Sequence, residues 1–422
     1  LEAIRELGAR VADAWLERDL RSADFAPIAV AALESSRILE RVGRRELDAW
    51  FLQASDLPEQ SFRNFGQPAL TLFKGPRFYI ELLVWLESTT AIHQHSFAGA
   101  FGVLSGSSLH SRYRFTATDR RKPEIVFGAL RLDDAEVLTR GDVRAITPGD
   151  GLIHSLFHLD HPTLSLVVRT ETIASCQPQY SYYRSGIGHD PLFAPEPFST
   201  RIRLLESLRQ ADDPDFWPHA LDAMGRADCW MALAILNIAH KSHERAQAWA
   251  ELVRAARARL GERAGLLLAA IEERARERLI VDRRRDVRDP DLRFFLALLL
   301  NLPDRQAIFG AIRQRFPDAD AEDRVVEWVA ALGRHDALGF TLDALGLEIL
   351  RYALRDLPLA AARRELERVF GEAAVAGEAA ALERLWNGIV RDPALAPLFV
   401  GGPALATPGA AREEEASCRA SG

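Results

Sequence analysis

The sequence predicts a multidomain α+β protein: a helical leader and an antiparallel β-barrel over residues 1–190, then an all-α region over residues 198–400. Three observations predict it. The 422 residues are about two to three times a typical domain length, too many for one compact core. Apolar residues recur at helical steps as far as about residue 56, then in short runs, then at helical steps again from Phe198. The short runs are punctuated by Gly, Pro and Asp, the grammar of tight turns between strands.

Each element follows in order. Ile4, Leu7, Val11, Ala14 and Leu16 form a helical stripe, which resumes after Pro27 at residues 28–33. Strands are expected at residues 70–73, 78–86, 91–97, 101–104, 109–115, 125–132, 143–146 and 163–170. Lys74-Gly75-Pro76, Ser105-Gly106 and Pro148-Gly149-Asp150-Gly151 supply turns between them. Eight closely spaced strands argue for an antiparallel sandwich or barrel. Helices are expected at 201–209, 232–239, 246–260, 264–279, 292–300, 307–316, 325–332 and 345–354. Pro214, Pro218, Asp289-Pro290, Pro303, Pro317 and Gly333 break them. Helix pairs of this length could stack as a solenoid, although no fixed repeat period appears. Residues 403–422, mostly Ala, Gly, Glu and Ser, read as a disordered tail.

Composition excludes several function classes. Hydrophobic residues at 48% and charged residues at 27% are the mixture of a soluble globular chain. A net charge of −7 offers no basic footprint for nucleic acid or an anionic membrane. No apolar run approaches the roughly 18 residues of a membrane span. Cys176, Cys229 and Cys418 lack CxxC spacing and suit a reducing compartment, and no basic-then-apolar leader opens the chain; a cytoplasmic location is the expectation. Walker, GxGxxG and GxSxG elements are absent, so nucleotide binding and serine hydrolysis have no support.

Histidine carries the chemistry. Six of eleven histidines, His93, His95, His110, His154, His158 and His161, fall in one short stretch. His93 and His95 stand two apart, so on a strand both project from one face. Two neutral imidazoles brought to one centre begin a metal site. A third ligand must come from a distant strand, and His154, after the Gly149–Gly151 turn, is placed to supply it.

The pattern His93-x-His95, Ser105-Gly106, then Gly141, Pro148, Gly151 and His154 resembles the two motifs of the cupin superfamily, with the second motif stretched by one residue. Within it, Arg77-Phe78, Leu83-Val84-Trp85-Leu86-Glu87, Ile92-His93-Gln94-His95, Gly151-Leu152, His161-Pro162 and Ser165-Leu166 resemble the cysteine dioxygenase-type thiol dioxygenases over roughly residues 1–185. The resemblance implies a cupin (jelly-roll) barrel holding mononuclear Fe(II) on His93, His95 and His154, and acting with O2 on a small thiol or other anionic substrate. Ordinary cupins add a Glu shortly after the second His; Ser96-Phe97-Ala98-Gly99-Ala100 contains none, which favours three neutral ligands. Three histidines alone leave Zn, Ni and Mn as alternative metals.

The chain also departs from that family. The Arg that binds the substrate carboxylate is missing from residues 65–70, and the family's Cys after the HxH and its late Tyr are replaced by Ala100 and Arg169. Arg112, Arg114 and Arg169 are the candidates to replace the clamp; Arg112 and Arg114 share a strand face with His110. His158 and His161 are either partners orienting His154 or turn residues. Tyr79 and Glu81 share one face of the strand before the metal strand. Tyr182, with Tyr180, Tyr183 and Arg184, forms either a lid over the barrel mouth or a linker. His240 and His243 read as surface residues, as do the Arg- and Glu-rich faces of residues 272–289. The helical half is expected to recruit a peptide or carrier-linked substrate, or to self-associate. The alternative to an oxygenase is a non-enzymatic cupin sensor or scaffold whose helical half binds a partner protein.

Overall fold

The computed structural model describes residues 2–399, apart from 61–65, 88, 177, 336, 337, 339, 373, 374, 376 and 377. Residues 403–422, expected to be a disordered tail, and Cys418 lie outside the described residues.

The N-terminal stripe forms α1 (Glu2–Leu16), followed by α2 (Ser22–Ser36), α3 (Ile38–Arg41) and α4 (Arg44–Gln53). The strands are β1 (Ala69–Gly75), β2 (Phe78–Trp85), β3 (Thr90–His95), β4 (Gly99–Ser105), β5 (Ser108–Lys122) and β6 (Ile125–Leu138). After these come β7 (Val143–Ile146), β8 (Gly149–His158), β9 (Thr163–Thr170), β10 (Ser181–Tyr183) and β11 (Ile187–His189). They sort into a five-stranded sheet, β1-β2-β9-β4-β7, and a closed antiparallel barrel, β10-β11-β6-β5-β8-β3.

Side-chain alternation gives each strand of the five-stranded sheet two jobs. Phe78, Ile80, Leu82, Leu164, Leu166 and Val168 pack beneath the leader helices with Ile4, Leu7, Val11 and Phe25. Their neighbours Leu83, Trp85 and Val167 face the other way and meet Leu156 and Leu138 of the barrel strands. The metal-ligand candidates lie in this space between the sheets.

Two stretches differ from expectation. Pro148–Gly151 read as a turn with no strand expected after it, yet residues 149–158 form β8, paired with both β3 and β5. From Ile153 to His158 neither face of β8 is solvated: His154 and Leu156 alternate with Ile153, Ser155 and Phe157, so no solvated polar face advertises the strand. Residues 180–184, expected as a lid or linker, contain β10, which with β11 makes the ladder that joins β3 to β6 and closes the barrel.

The helical half runs through α5 (Phe198–Gln210), α6 (Phe216–Arg226), α7 (Cys229–Ala239), α8 (Ala246–Leu260), α9 (Arg263–Asp286) and α10 (Pro290–Asn301). It continues with α11 (Arg305–Arg315), α12 (Ala321–Arg334), α13 (Ala344–Leu354), α14 (Leu359–Phe370) and α15 (Ala379–Val390). Asp289-Pro290 is a start rather than a stop: the Asp289 carboxylate caps the Asp291 and Leu292 amides, and Pro290 fills the first helical position. Pro218 does not break its helix either; it lies in the first turn of α6, where its missing N–H goes unused.

Two apolar cores cross from strands to helices. Leu109, Phe157 and Leu159 join Ile280, Phe294 and Leu298. Ile125, Phe127 and Ile187 join residues of α5 to α9. The charged face at residues 272–289 is therefore only partly solvated. Arg284 is fully buried and its Nη2 donates to the His158 carbonyl at 2.6 Å. Glu273 is buried against Arg184, and Arg293, also buried, donates from Nη1 to the Asp160 carbonyl at 3.0 Å. Each guanidinium is taken from water at the cost of desolvation and keeps the hydrogen bonds that offset it. No helix among the described residues is long and apolar enough to cross a membrane.

Candidate metal centre

His93 and His154 are direct partners in the β3–β8 ladder, while His95 lies opposite Gly149. Register shifts flank His93, and Gly149 takes a positive φ of 66° that favours glycine. The irregular ladder brings three rings together: centroid separations are 4.6 Å for His93–His95, 4.8 Å for His93–His154 and 5.0 Å for His95–His154. One ligand nitrogen from each lies within 4.8 Å of the others, and all three residues are buried. The group contains no carboxylate among the described residues. Ile92 and Ile153, one residue away, point into a separate apolar cluster with Tyr113, Phe115 and Tyr182. A closed antiparallel barrel with this triad is compatible with a cupin-like fold.

The donor set fits a divalent first-row metal ion. Nε2 of His95 and Nε2 of His154 stand 2.9 Å apart, close to the roughly 3 Å that separates adjacent ligands on an ion with bonds of about 2.1 Å. The His95 Nδ1 is buried with no partner. Burial holds His93 below the ordinary histidine range, and His95 and His154 well below it, so all three are neutral donors at neutral pH.

A polar chain behind His154 sets its orientation. Nδ1 of His154 is 2.9 Å from Nε2 of His110, whose Nδ1 is 3.3 Å from Oε1 of Glu136. Arg144 grips Glu136 with Nε at 2.9 Å and Nη2 at 2.6 Å. The Arg144 hydrogen bond draws the Glu136 carboxyl down to about 2, so it is ionised and accepts. His110 then donates from Nδ1 and accepts at Nε2, which makes His154 the donor at Nδ1 and leaves its Nε2 lone pair for a metal. Glu136 and Arg144 were not singled out in the sequence. The cross-strand pairing of His110 with Glu136 is the signal that would find the former, and three register shifts in the β5–β6 hairpin defeat simple counting.

Arg169 enters from β9. Its Nε donates to Glu81 Oε2 at 2.5 Å and its Nη2 to Oε1 at 3.2 Å, both residues being buried. The guanidinium lies 4.8 Å from the Phe97 ring centroid, and Phe97 packs on His95. Its Nη1 is buried without a partner.

The other candidates fall elsewhere. Arg112 and Arg114 do share the face of His110, but that face loses its cover beyond Ser111; both reach solvent, where Asp134 and Asp133 pair with them. His158 does not orient His154: it is buried, stacks on Trp85 at 4.5 Å and meets Ser108 Oγ through Nδ1 at 2.9 Å. His161 lies at the surface and pairs with Glu87 at 2.6 Å. Tyr182 is no lid; it is buried in β10 and donates to Gln94 Oε1 at 2.6 Å. Tyr79 lies at the sheet margin, its hydroxyl on Glu171 at 3.1 Å and its ring 5.4 Å from the Arg169 guanidinium. His240 and His243 stack on each other at 4.7 Å and join no metal-ligand group among the described residues.

These buried rings make the metal-free protein acid-sensitive. Burial lowers His110 to about 4, and His189 likewise to about 4. Below the unfolded value of 6.5 the unfolded chain binds protons that the folded chain refuses, so stability falls as pH drops from about 6.5 towards 4. His110 alone accounts for a loss of about 3 kcal/mol over that window. Urea midpoints measured from pH 7 to pH 4.5 should decline steadily below 6.5; a flat profile would refute the assignment.

No protein-family model and no curated protein matches this chain.

Proposed function

We propose that the protein is a mononuclear non-haem Fe(II) oxygenase of the cysteine dioxygenase-like kind, acting with O2 on a small thiol or other anionic substrate. One observation carries this reading: three buried, neutral imidazoles converge with no carboxylate among them, beside a buried guanidinium that retains an unused donor. Three neutral ligands leave the full double charge of the ion for anionic ligands, and a redox-active ion held there supplies activation of O2 and oxygen transfer.

The chain's own residues do the rest. Arg169 Nη1 orients the substrate anion, while its bidentate pairing with Glu81 fixes the guanidinium plane. Glu136 and His110 hold His154 in one tautomer. Phe101, whose ring is 5.9 Å from that of His154, and Phe97 supply a low-dielectric wall that excludes water.

Anaerobic loading with Fe(II), followed by metal analysis and an oxygen electrode, tests the reading. One ion per chain is expected, with O2 uptake dependent on thiol and faster for carboxylated thiols than for uncharged ones. Failure to retain iron, or equal uptake by His93→Ala, would sink it. Competition with Zn, Ni and Mn in the same assay identifies the preferred ion.

The continuity of the barrel and helical cores favours one second reading, a non-enzymatic sensor in which the barrel reports to a partner through the helices. It requires partner or ligand binding that survives metal removal.

A further inference from the structure

We infer that the α9–α10 pair is part of the frame of the metal centre, with Arg284 as a positioning residue that fixes β8, and hence His154, against β3. The inference rests on the three-histidine reading and adds to it a task for the helical half.

The three ligands converge across the ladder between β3 and β8, and that ladder is loose. It pairs only Thr90 with Leu156, His93 with His154 and His95 with Gly149, with a register shift between each pair and the next. By contrast, β8 and β5 pair without interruption from Ser108–His158 to Tyr113–Ile153. The β5–β8 pair is the stiffer unit, and backbone pairing alone specifies its position along β3 weakly. A ligand set tolerates misplacement of only about 0.5 Å.

The helices supply the missing tie. Arg284 of α9 is fully buried, and its Nη2 donates to the carbonyl of His158, the last residue of β8, at 2.6 Å. The same nitrogen reaches the Leu86 carbonyl, in the connection that leads into β3, at 3.5 Å. Arg293 of α10 repeats the arrangement: Nη1 donates to the Asp160 carbonyl just beyond β8 at 3.0 Å, and Nη2 stands 3.6 Å from the Glu87 carboxylate. Arg288 holds Glu87 as well, at 2.8 Å. Each buried guanidinium thus bridges the end of β8 and the approach to β3. Halfway along β8, Ser155 Oγ donates to Asn301 Oδ1 at 3.0 Å, and the Tyr113 hydroxyl of β5 approaches the same oxygen at 3.5 Å. One side chain at the end of α10 therefore holds β5 and β8 together.

The choice of residues fits positioning better than adhesion. Between Arg293 and Asn301 every buried residue of α10 is apolar, and such packing holds the two halves together by itself. A guanidinium in that interface adds a desolvation cost. What it contributes is direction, because its rigid planar fork sets where its acceptors lie.

Two measurements on the full chain test this: amide hydrogen exchange of the metal-free protein, and Co(II) affinity by chelator competition. Arg284→Met keeps the aliphatic stem and removes the donors. Amides of residues 90–95 and 152–158 should exchange about tenfold faster or more, while those of β4 and β9 in the other sheet keep the parent rates. Co(II) should bind about tenfold more weakly or worse, with all three ligands intact. A merely structural role would speed both sheets together and leave the affinity of the folded protein unchanged. Asn301→Leu should give the same pattern, and it decides the matter if Arg284→Met does not fold. Parent exchange rates, uniform acceleration of both sheets, or parent Co(II) affinity would overturn the proposal. Failure of the parent chain to bind Co(II) would instead sink the three-histidine reading, with exchange still deciding whether Arg284 fixes β8.

Discussion

His154→Ala should retain less than a tenth of an ion per chain where the parent chain retains one. The substitution removes one of three ligands and leaves two imidazoles, too few to hold a divalent ion through dialysis. It also strips His110 of its partner, since His110 Nε2 meets the His154 ring at 2.9 Å. Glu136→Gln should act through orientation alone, lowering metal affinity about 10- to 100-fold with all three ligands in place. His161→Ala, which touches only Glu87 among these groups, should leave metal content unchanged. Elemental analysis after dialysis, with circular dichroism to check folding, reads all three variants. Full metal retention by His154→Ala would end the three-histidine assignment.

Arg169→Ala should cost about 3–5 kcal/mol of folding stability, the usual penalty for leaving one member of a buried ion pair without the other. Glu81 is 5% exposed and both its oxygens are taken by Arg169. Truncation strands that carboxylate between the sheets with no water to solvate it. The double variant Glu81→Gln with Arg169→Met should recover much of the loss, because it removes both charges and keeps the volume. Urea unfolding of the metal-free forms measures this; a single-variant loss below about 1 kcal/mol would show that the site is wetter than its burial implies.

The metal centre was legible to unequal depths. His93 and His95 stand out because their spacing of two is a local property, and His154 because a Gly-rich turn precedes it. The relay through His110 to Glu136 and Arg144 was not, since it depends on cross-strand pairs in a hairpin with three register shifts. The arginines show the same divide. Arg112, Arg114 and Arg169 were equal candidates on the sequence, and burial alone separates them: Arg169 lies under cover of both sheets, while Arg112 and Arg114 stand where the cover ends.

What the sequence determined by itself is whatever chain-local physics controls. The switch from helical steps to short apolar runs between turn residues marked the leader, the strands and the helical half, because each pattern is a geometric consequence of one backbone conformation. The tertiary structure decided the rest. It made β8 a strand although both its faces are buried from Ile153 to His158, and it turned β10 from a supposed lid into part of the closure of the barrel. It also packed the charged face of α9 against that barrel. In each case the deciding energy is desolvation by a segment distant in sequence, and a short window of residues carries no record of which segment that will be.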